Sequence, residues 1–122
     1  MFYTFYTRTR APTAGVISVT EPLSVTAADS GKTYSLDSVT ARIDLPVRGD
    51  ISAGWTITVQ CTVSGRFCVV QAGDIGGGFF SYDDSDYDGV SLDSLDAVAT
   101  ISYNGSQFVA TAISGTVKGY MD

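Results

Sequence analysis

The stretch that decides the fold is residues 55–63, which read Trp-Thr-Ile-Thr-Val-Gln-Cys-Thr-Val. One face of this stretch would carry Trp55, Ile57, Val59, Cys61 and Val63, and the other Thr56, Thr58, Gln60 and Thr62. Side chains of a β-strand alternate between faces with period two, whereas a helix repeats every ~3.6 residues. The stretch therefore predicts a strand with one buried face and one solvated face.

A second alternating stretch covers residues 39–45, where Val39, Ala41, Ile43 and Leu45 are expected to face inward. Strands with one dry face and one wet face are typical of antiparallel sheets. The two stretches together predict an all-β protein whose sheets are antiparallel.

Composition limits the class of protein further. A chain of 122 residues that is 44% apolar is long enough to form one domain around a core. Its longest apolar runs are too short to cross a membrane. At the N-terminus, Arg8 and Arg10 follow the aromatic residues, which is the reverse of a secretory signal, so we expect an unprocessed chain made in a cytoplasm.

The charge is unevenly distributed. Arg8 and Arg10 give residues 1–12 a charge of +2, so the remainder carries −8 against a total of −6. Because phosphate repels an acidic surface, the sequence does not favour a nucleic-acid partner. The chain also has no histidine, the commonest general base, and no two carboxylates are held at a fixed separation; we therefore predict no catalysis and no cofactor.

Turn residues divide the rest of the chain into strands. We expect strands over about 14–27 with a break at Glu21-Pro22, then 33–37, 39–45, 55–63, 67–72, 98–103, 107–112 and 115–121, with an irregular stretch from Gly76 to about Leu95. Short strands with frequent turns predict a single antiparallel β-sandwich or a small jelly-roll-like barrel over residues 13–122.

Two hairpins are expected. If residues 55–63 and 67–72 pair, Cys61 and Cys68 face each other; cytoplasmic synthesis favours reduced, core-facing thiols over a disulfide. In the second hairpin Asn104-Gly105 is the residue pair that a two-residue type I′ turn prefers. That turn would pair Ile101 with Phe108 and Ala99 with Ala110.

Residues 1–12 form a distinct N-terminal arm. Its candidate interface residues are Phe2, Tyr3, Phe5, Tyr6, Arg8 and Arg10. Aromatic and arginine side chains dominate many protein interfaces, and exposed aromatic patches usually mark one. The arm is expected either to add an edge strand or to lie on a partner.

The second candidate site is an acidic loop containing Asp83, Asp84, Asp86 and Asp88. Residues 84–89 match the first half of a calcium-binding loop, but the twelfth position, which should be a bidentate acid, is Leu95. The alternatives are a solvated loop, an acidic contact surface for a basic partner, and a calcium site. We predict no metal site and keep the contact surface as the functional candidate.

The run from Thr26 to Pro46, the run from Ser52 to Val59 and the Tyr103-Asn104-Gly105 turn resemble small β modules of tailed-bacteriophage virion proteins. Asp29-Ser-Gly-Lys-Thr33, the strand ending in Leu45-Pro46 and the Ala53-Gly-Trp55 strand entry carry the likeness, over about residues 24–112. The arm and the acidic stretch 83–96 lie outside this pattern. The resemblance implies a phage structural component and a homo-oligomer, with a trimer as our expectation.

Two functions follow as expectations. The first is a capsid decoration or cement protein, located in the virion, whose arm binds the major capsid protein or another virion protein. The alternative is a tail fibre or tailspike-type host-recognition module, in which Phe79, Phe80, Tyr82 and Tyr87 would stack on a surface glycan.

Overall fold

The computed structural model describes residues 15–63, 67–70 and 80–120. Within these ranges the protein consists of short β-strands in two sheets, with single 3-10 turns at Ala27–Asp29 and Arg48–Asp50 and no α-helix. The strands are β1 (Val16–Val19), β2 (Pro22–Ser24), β3 (Thr33–Leu36), β4 (Arg42–Asp44), β5 (Thr56–Cys61), β6 (Phe67–Val70), β7 (Phe80–Tyr82), β8 (Ser85–Tyr87), β9 (Gly89–Leu92), β10 (Val98–Tyr103), β11 (Phe108–Ser114) and β12 (Val117–Tyr120). The all-β prediction is confirmed.

The strand order shows two open sheets. The larger sheet runs β1-β3-β5-β10-β11-β7-β8, and the smaller runs β12-β9-β6-β4-β2. Neither sheet closes on itself within the described residues, so a closed barrel is not observed. Pro22 lies on β2, at the edge of the smaller sheet, where its missing N–H breaks no central ladder.

The first six strands alternate between the two sheets. β1, β3 and β5 enter the larger sheet, while β2, β4 and β6 enter the smaller one, so each winding of the chain contributes one strand to each sheet. Successive windings run in the same direction, and β1–β3, β3–β5, β2–β4 and β4–β6 therefore pair in parallel, as does β7–β11. The prediction of purely antiparallel sheets is wrong, because each connection between parallel neighbours passes through the opposite sheet.

The alternating stretch that led to the β assignment is confirmed. Along β5, half-buried and buried residues alternate, and Trp55, Ile57, Val59 and Cys61 are each 5% exposed or less. The second stretch is only partly correct. Ala41, Ile43 and Leu45 are buried, but Val39 is 75% exposed because residues 38–40 form a turn, closed by a hydrogen bond from Ala41 N to Ser38 O.

The hairpin predicted over residues 55–72 is wrong. β5 lies in the larger sheet between β3 and β10, whereas β6 lies in the smaller sheet between β4 and β9. Cys61 is a free, buried thiol whose Sγ donates to Ser94 O over 2.9 Å, and burial raises its pKa. Cys68 pairs with Ser91 of β9, and its side chain lies outside the described part of the chain.

The hairpin of β10 and β11 exists with a different register. Ile101 pairs with Ala110 and Tyr103 with Phe108, a shift of two residues from the prediction. The reason is a longer loop: Asn104 Oδ1 accepts hydrogen bonds from Ser106 N and Gln107 N, both over 2.9 Å. The side chain of Asn104 thus stabilises a four-residue connection in place of a type I′ turn.

The stretch expected to be irregular is also structured. Residues 80–92 form β7, β8 and β9, of which β7 and β8 are an antiparallel hairpin at the edge of the larger sheet. β9 joins the smaller sheet between β6 and β12.

One hydrophobic cluster fills the space between the sheets. It includes Leu36, Val59 and Phe108 from the larger sheet and Ile43 and Leu92 from the smaller one, all of them fully buried. The apolar faces of both sheets are therefore buried against each other, and the opposite face of the larger sheet carries its hydroxyl residues.

Candidate interaction surface

A tight hairpin displays three of the four predicted acidic residues. Asp83 and Asp84 connect β7 to β8 with φ of 52° and 62°, the left-handed conformation that a two-residue type I′ turn requires. Aspartate tolerates this conformation better than most residues. Asp86 follows on β8, and all three residues are exposed. We call Asp83, Asp84 and Asp86 the acidic hairpin tip.

The fourth predicted residue, Asp88, does not belong to that surface. It is 2% exposed, and its backbone N donates to Tyr120 O over 2.8 Å. The structure thus separates Asp88 from the acidic hairpin tip and leaves three acids accessible to a partner.

Two tyrosines attach the hairpin to the smaller sheet. The Tyr82 hydroxyl donates to Val117 O over 2.9 Å, and the Tyr82 and Tyr87 ring centroids lie 6.5 Å apart. Tyr87 packs so closely on Gly119 that a Cβ at Gly119 would lie 2.2 Å from the ring. These contacts hold the hairpin in a defined position where the β8 edge of the larger sheet meets the β12 edge of the smaller one.

The burial of these aromatic rings bears on the prediction that Phe79, Phe80, Tyr82 and Tyr87 stack on a glycan. Phe80 is fully buried, and its ring packs against Phe108, so it is not an exposed stacking surface. Tyr82 and Tyr87 are half-buried. Phe79 lies outside the described residues. Of the four aromatics proposed to stack on sugars, none is shown to be fully exposed.

The acidic hairpin tip forms no ion pair within the described part of the chain. Lys32 pairs with Asp29, Arg42 with Asp44 and Lys118 with Asp93, and Arg48 donates to Ser106 O over 2.9 Å. Asp86 Oδ1 accepts only a long hydrogen bond of 3.4 Å from Gln107 Nε2. The carboxylates are therefore available to a basic partner.

Among residues 15–63, 67–70 and 80–120, no group of three or more metal-binding side chains comes together. The calcium-loop pattern is disrupted by the strand: Asp84 lies in the turn, Asp86 is exposed and Asp88 is buried. Calcium coordination takes six to eight oxygens converging on one point, which this arrangement does not supply.

The six arm residues predicted as an interface, Phe2, Tyr3, Phe5, Tyr6, Arg8 and Arg10, lie outside the described residues. Their role as an interface therefore stays a prediction from the sequence.

A polar cluster that the sequence analysis did not identify lies on the outer face of the larger sheet. Asp37 follows β3 and accepts hydrogen bonds from Ser18 Oγ (2.5 Å), Ser35 Oγ (2.6 Å) and Thr62 Oγ1 (2.6 Å). Ser18 comes from β1, Ser35 from β3, and Thr62 directly follows β5. This Asp37 cluster connects three parallel neighbouring strands near their C-terminal ends.

The Asp37 cluster lines a shallow depression of about 360 Å³, to which Val16 and Gln60 also contribute. Partial burial of Asp37 would raise the pKa of its carboxyl, but the hydrogen bonds from Ser18, Ser35 and Thr62 outweigh it and lower the pKa below the ordinary value. Asp37 is therefore a carboxylate over the whole physiological range of pH.

This lowered pKa predicts an acid-dependent loss of stability. Because the folded-state pKa lies below the unfolded one, the contribution of Asp37 is complete above pH ~4 and is lost as the pH falls through the folded-state value. At pH 7 we expect Asp37→Ala to lower the free energy of unfolding by about 1–2 kcal/mol, the range for partly exposed hydrogen bonds to a charged group.

Urea unfolding of Asp37→Ala and of the wild type between pH 2 and pH 7 measures this effect. The difference between their free energies of unfolding should become smaller as the pH approaches 2. Asp50→Ala is the matched control, because Asp50 is exposed. A difference in the free energy of unfolding that stays constant from pH 7 to pH 2 would show that the charge of the carboxylate contributes nothing to stability.

Other depressions lined by described residues are similarly open and small, at about 300–380 Å³. No helix in the described ranges is both long and apolar enough to cross a bilayer.

No protein-family model matches the chain, and neither does any curated protein.

Proposed function

We propose that this protein is a structural component of a bacteriophage virion, and that it binds the head as a decoration or cement protein. The resemblance of residues 24–112 to phage β modules supports the class. Two open sheets around one hydrophobic cluster support a β-sandwich, a fold that presents surfaces to partners. Shallow depressions favour a protein partner over a small-molecule substrate.

The observation that carries the proposal is the opposition of charge between the arm and the acidic hairpin tip. The arm carries Arg8 and Arg10 near its aromatic residues, while Asp83, Asp84 and Asp86 are exposed and form no ion pair within the described part of the chain. Surfaces of opposite sign on one chain favour assembly with acidic and basic partners, a second copy included. In this proposal the arm binds the major capsid protein or another virion protein, and copies of the chain associate as trimers.

The glycan-binding alternative, a tail fibre or tailspike-type module, has less support. Sugar-binding surfaces need an exposed aromatic face, yet Phe80 is buried and the Tyr82 hydroxyl is bonded to Val117 O. Catalysis is not proposed either, because the chain has no histidine and no pair of carboxylates faces another across a cleft in the described residues.

Deletion of residues 2–10 is expected to abolish binding to phage heads while the β core stays folded. The deletion removes four aromatic rings and both arginines of the arm. Burial of even two such rings contributes several kcal/mol at ~25 cal/mol per Å², before the cost of ordering the arm. We therefore expect affinity for the head to fall by at least about 100-fold, measured by co-sedimentation with heads of the phage that encodes the chain.

Two controls separate folding from binding. Circular dichroism of the deletion variant should keep the β spectrum of the full chain. The triple change Phe2→Ser, Phe5→Ser and Tyr6→Ser keeps the arginines and isolates the aromatic contribution. Undiminished co-sedimentation of the deletion variant would overturn the role of the arm, and absence of the protein from purified virions would overturn the proposed function itself.

A further inference from the structure

The Asp37 carboxylate accepts a hydrogen bond from each of the three hydroxyl groups around it. A serine or threonine hydroxyl has a single proton to donate and two lone pairs. Ser18, Ser35 and Thr62 each use that proton on the Asp37 carboxylate. Ser35 is only 5% exposed, so it is the lone pairs of the exposed Ser18 and Thr62 hydroxyl oxygens that are left to accept hydrogen bonds from another molecule.

The carboxylate itself also has unused capacity. Its two oxygens can accept about four hydrogen bonds; Oδ1 accepts two from the cluster and Oδ2 accepts one. No basic side chain in the described residues lies within ion-pair distance of Asp37. The depression thus combines a negative charge with several acceptors, and Gln60, which also lines it, has a side-chain amide oxygen that can accept as well.

We propose that the Asp37 cluster binds the guanidinium group of an arginine side chain presented by a partner protein. A guanidinium group has five donors and no acceptor, which complements a depression whose hydroxyls can only accept. It is also less strongly hydrated than an ammonium group, so it loses less hydration free energy when it enters a half-buried surface.

Other ligand classes fit these groups less well. Calcium sites usually gather several carboxylates, whereas the cluster contains one. A sugar would need donors for its own hydroxyl oxygens and an aromatic face, and the six residues lining the depression include no aromatic side chain. The proposal goes beyond the function proposed above, since it requires neither the arm nor a phage head.

The test is an NMR titration of the full-length protein with N-acetyl-arginine amide and, separately, N-acetyl-citrulline amide. Citrulline has nearly the same shape as arginine but no charge. Saturable shifts of the Ser18, Ser35, Gln60 and Thr62 backbone amides are expected with the arginine compound. The citrulline compound should bind at least about tenfold more weakly, the equivalent of one lost charge-assisted hydrogen bond.

Variants then locate the site. Asp37→Asn keeps the size of the side chain and should weaken arginine binding at least about tenfold, whereas Asp50→Asn, a change at an exposed acid elsewhere, should leave it unchanged. Val16→Lys leaves the Asp37 hydrogen bonds in place and sets an ammonium group at the depression, so it should also weaken binding. This variant keeps the test valid if Asp37→Asn fails to fold. Equal binding of both compounds, or undiminished arginine binding by the folded variants, would overturn the proposal.

Discussion

Replacing Phe108 with alanine is expected to lower the free energy of unfolding by about 3–5 kcal/mol, the usual cost of removing a buried aromatic side chain. Phe108 is fully buried, and its ring centroid lies 5.3 Å from that of Tyr103, 6.0 Å from that of Trp55 and 6.2 Å from that of Phe80. The change would leave a cavity bordered by three rings that cannot all move inward. Total stabilities of ~5–15 kcal/mol make this a large share.

Chemical denaturation followed by Trp55 fluorescence measures the effect. Ile113→Ala is a suitable control, because Ile113 also lies on β11 but is 61% exposed, and its loss should cost less than about 0.5 kcal/mol. If the two changes lowered the free energy of unfolding by similar amounts, the aromatic cluster around Phe108 would not stabilise the protein as its burial indicates.

Gly115→Ala is expected to destabilise the protein by about 2–4 kcal/mol through two separate causes. Gly115 has φ of +73°, which side chains of L-residues rarely adopt, and a Cβ there would lie 2.6 Å from Ala97 Cα and 2.8 Å from Ser94 Oγ. The first contact is with backbone, which cannot move aside cheaply. Overpacking of this kind costs ~1–3 kcal/mol, and the strained φ adds about 1 kcal/mol.

Three other glycines allow the two causes to be measured apart. Gly49 has neither a positive φ nor a neighbour within 4 Å, Gly31 has φ of +90° with open space, and Gly119 has ordinary φ but would contact the Tyr87 ring. We expect the loss of stability on alanine substitution to be smallest at Gly49, intermediate at Gly31 and Gly119, and largest at Gly115. A loss at Gly115 no larger than that at Gly31 would show that the local packing is looser than the distances indicate.

The sequence predicted the strands better than their partners. The alternation in residues 55–63 depends only on neighbouring side chains, and burial along β5 follows it residue by residue. Whether β5 pairs with β3 or β6 depends on the path of the chain between strands, which alternation does not encode. The assumption that consecutive strands pair therefore failed where the chain alternates between sheets.

Turn chemistry explains the remaining differences. Asn104-Gly105 favours a type I′ turn, yet the Asn104 side chain bonds two backbone N–H groups of a longer loop. Conversely, Asp83-Asp84 lacks the glycine that usually signals such a turn, although both residues adopt its left-handed conformation. The acidic hairpin tip was therefore recognised as a charged segment but not as a hairpin.

The Asp37 cluster was not predictable from local sequence. Its hydroxyl donors are separated by up to 44 positions, from Ser18 to Thr62, and only the parallel pairing of β1, β3 and β5 brings them together. The sequence does place a hydroxyl residue near the end of each of three predicted strands. That pattern indicates a cluster only once it is known that the three strands are neighbours in one sheet.

The alternation of the first six strands has a consequence for synthesis on the ribosome. β5 acquires its second neighbour only when β10 has been made, and Trp55 meets Phe108 only when β11 has emerged. Until then, the nascent polypeptide exposes an unpaired strand edge and an indole ring to solvent. A chaperone that shields this intermediate would therefore act after β5 has emerged from the ribosome and before β11 has emerged.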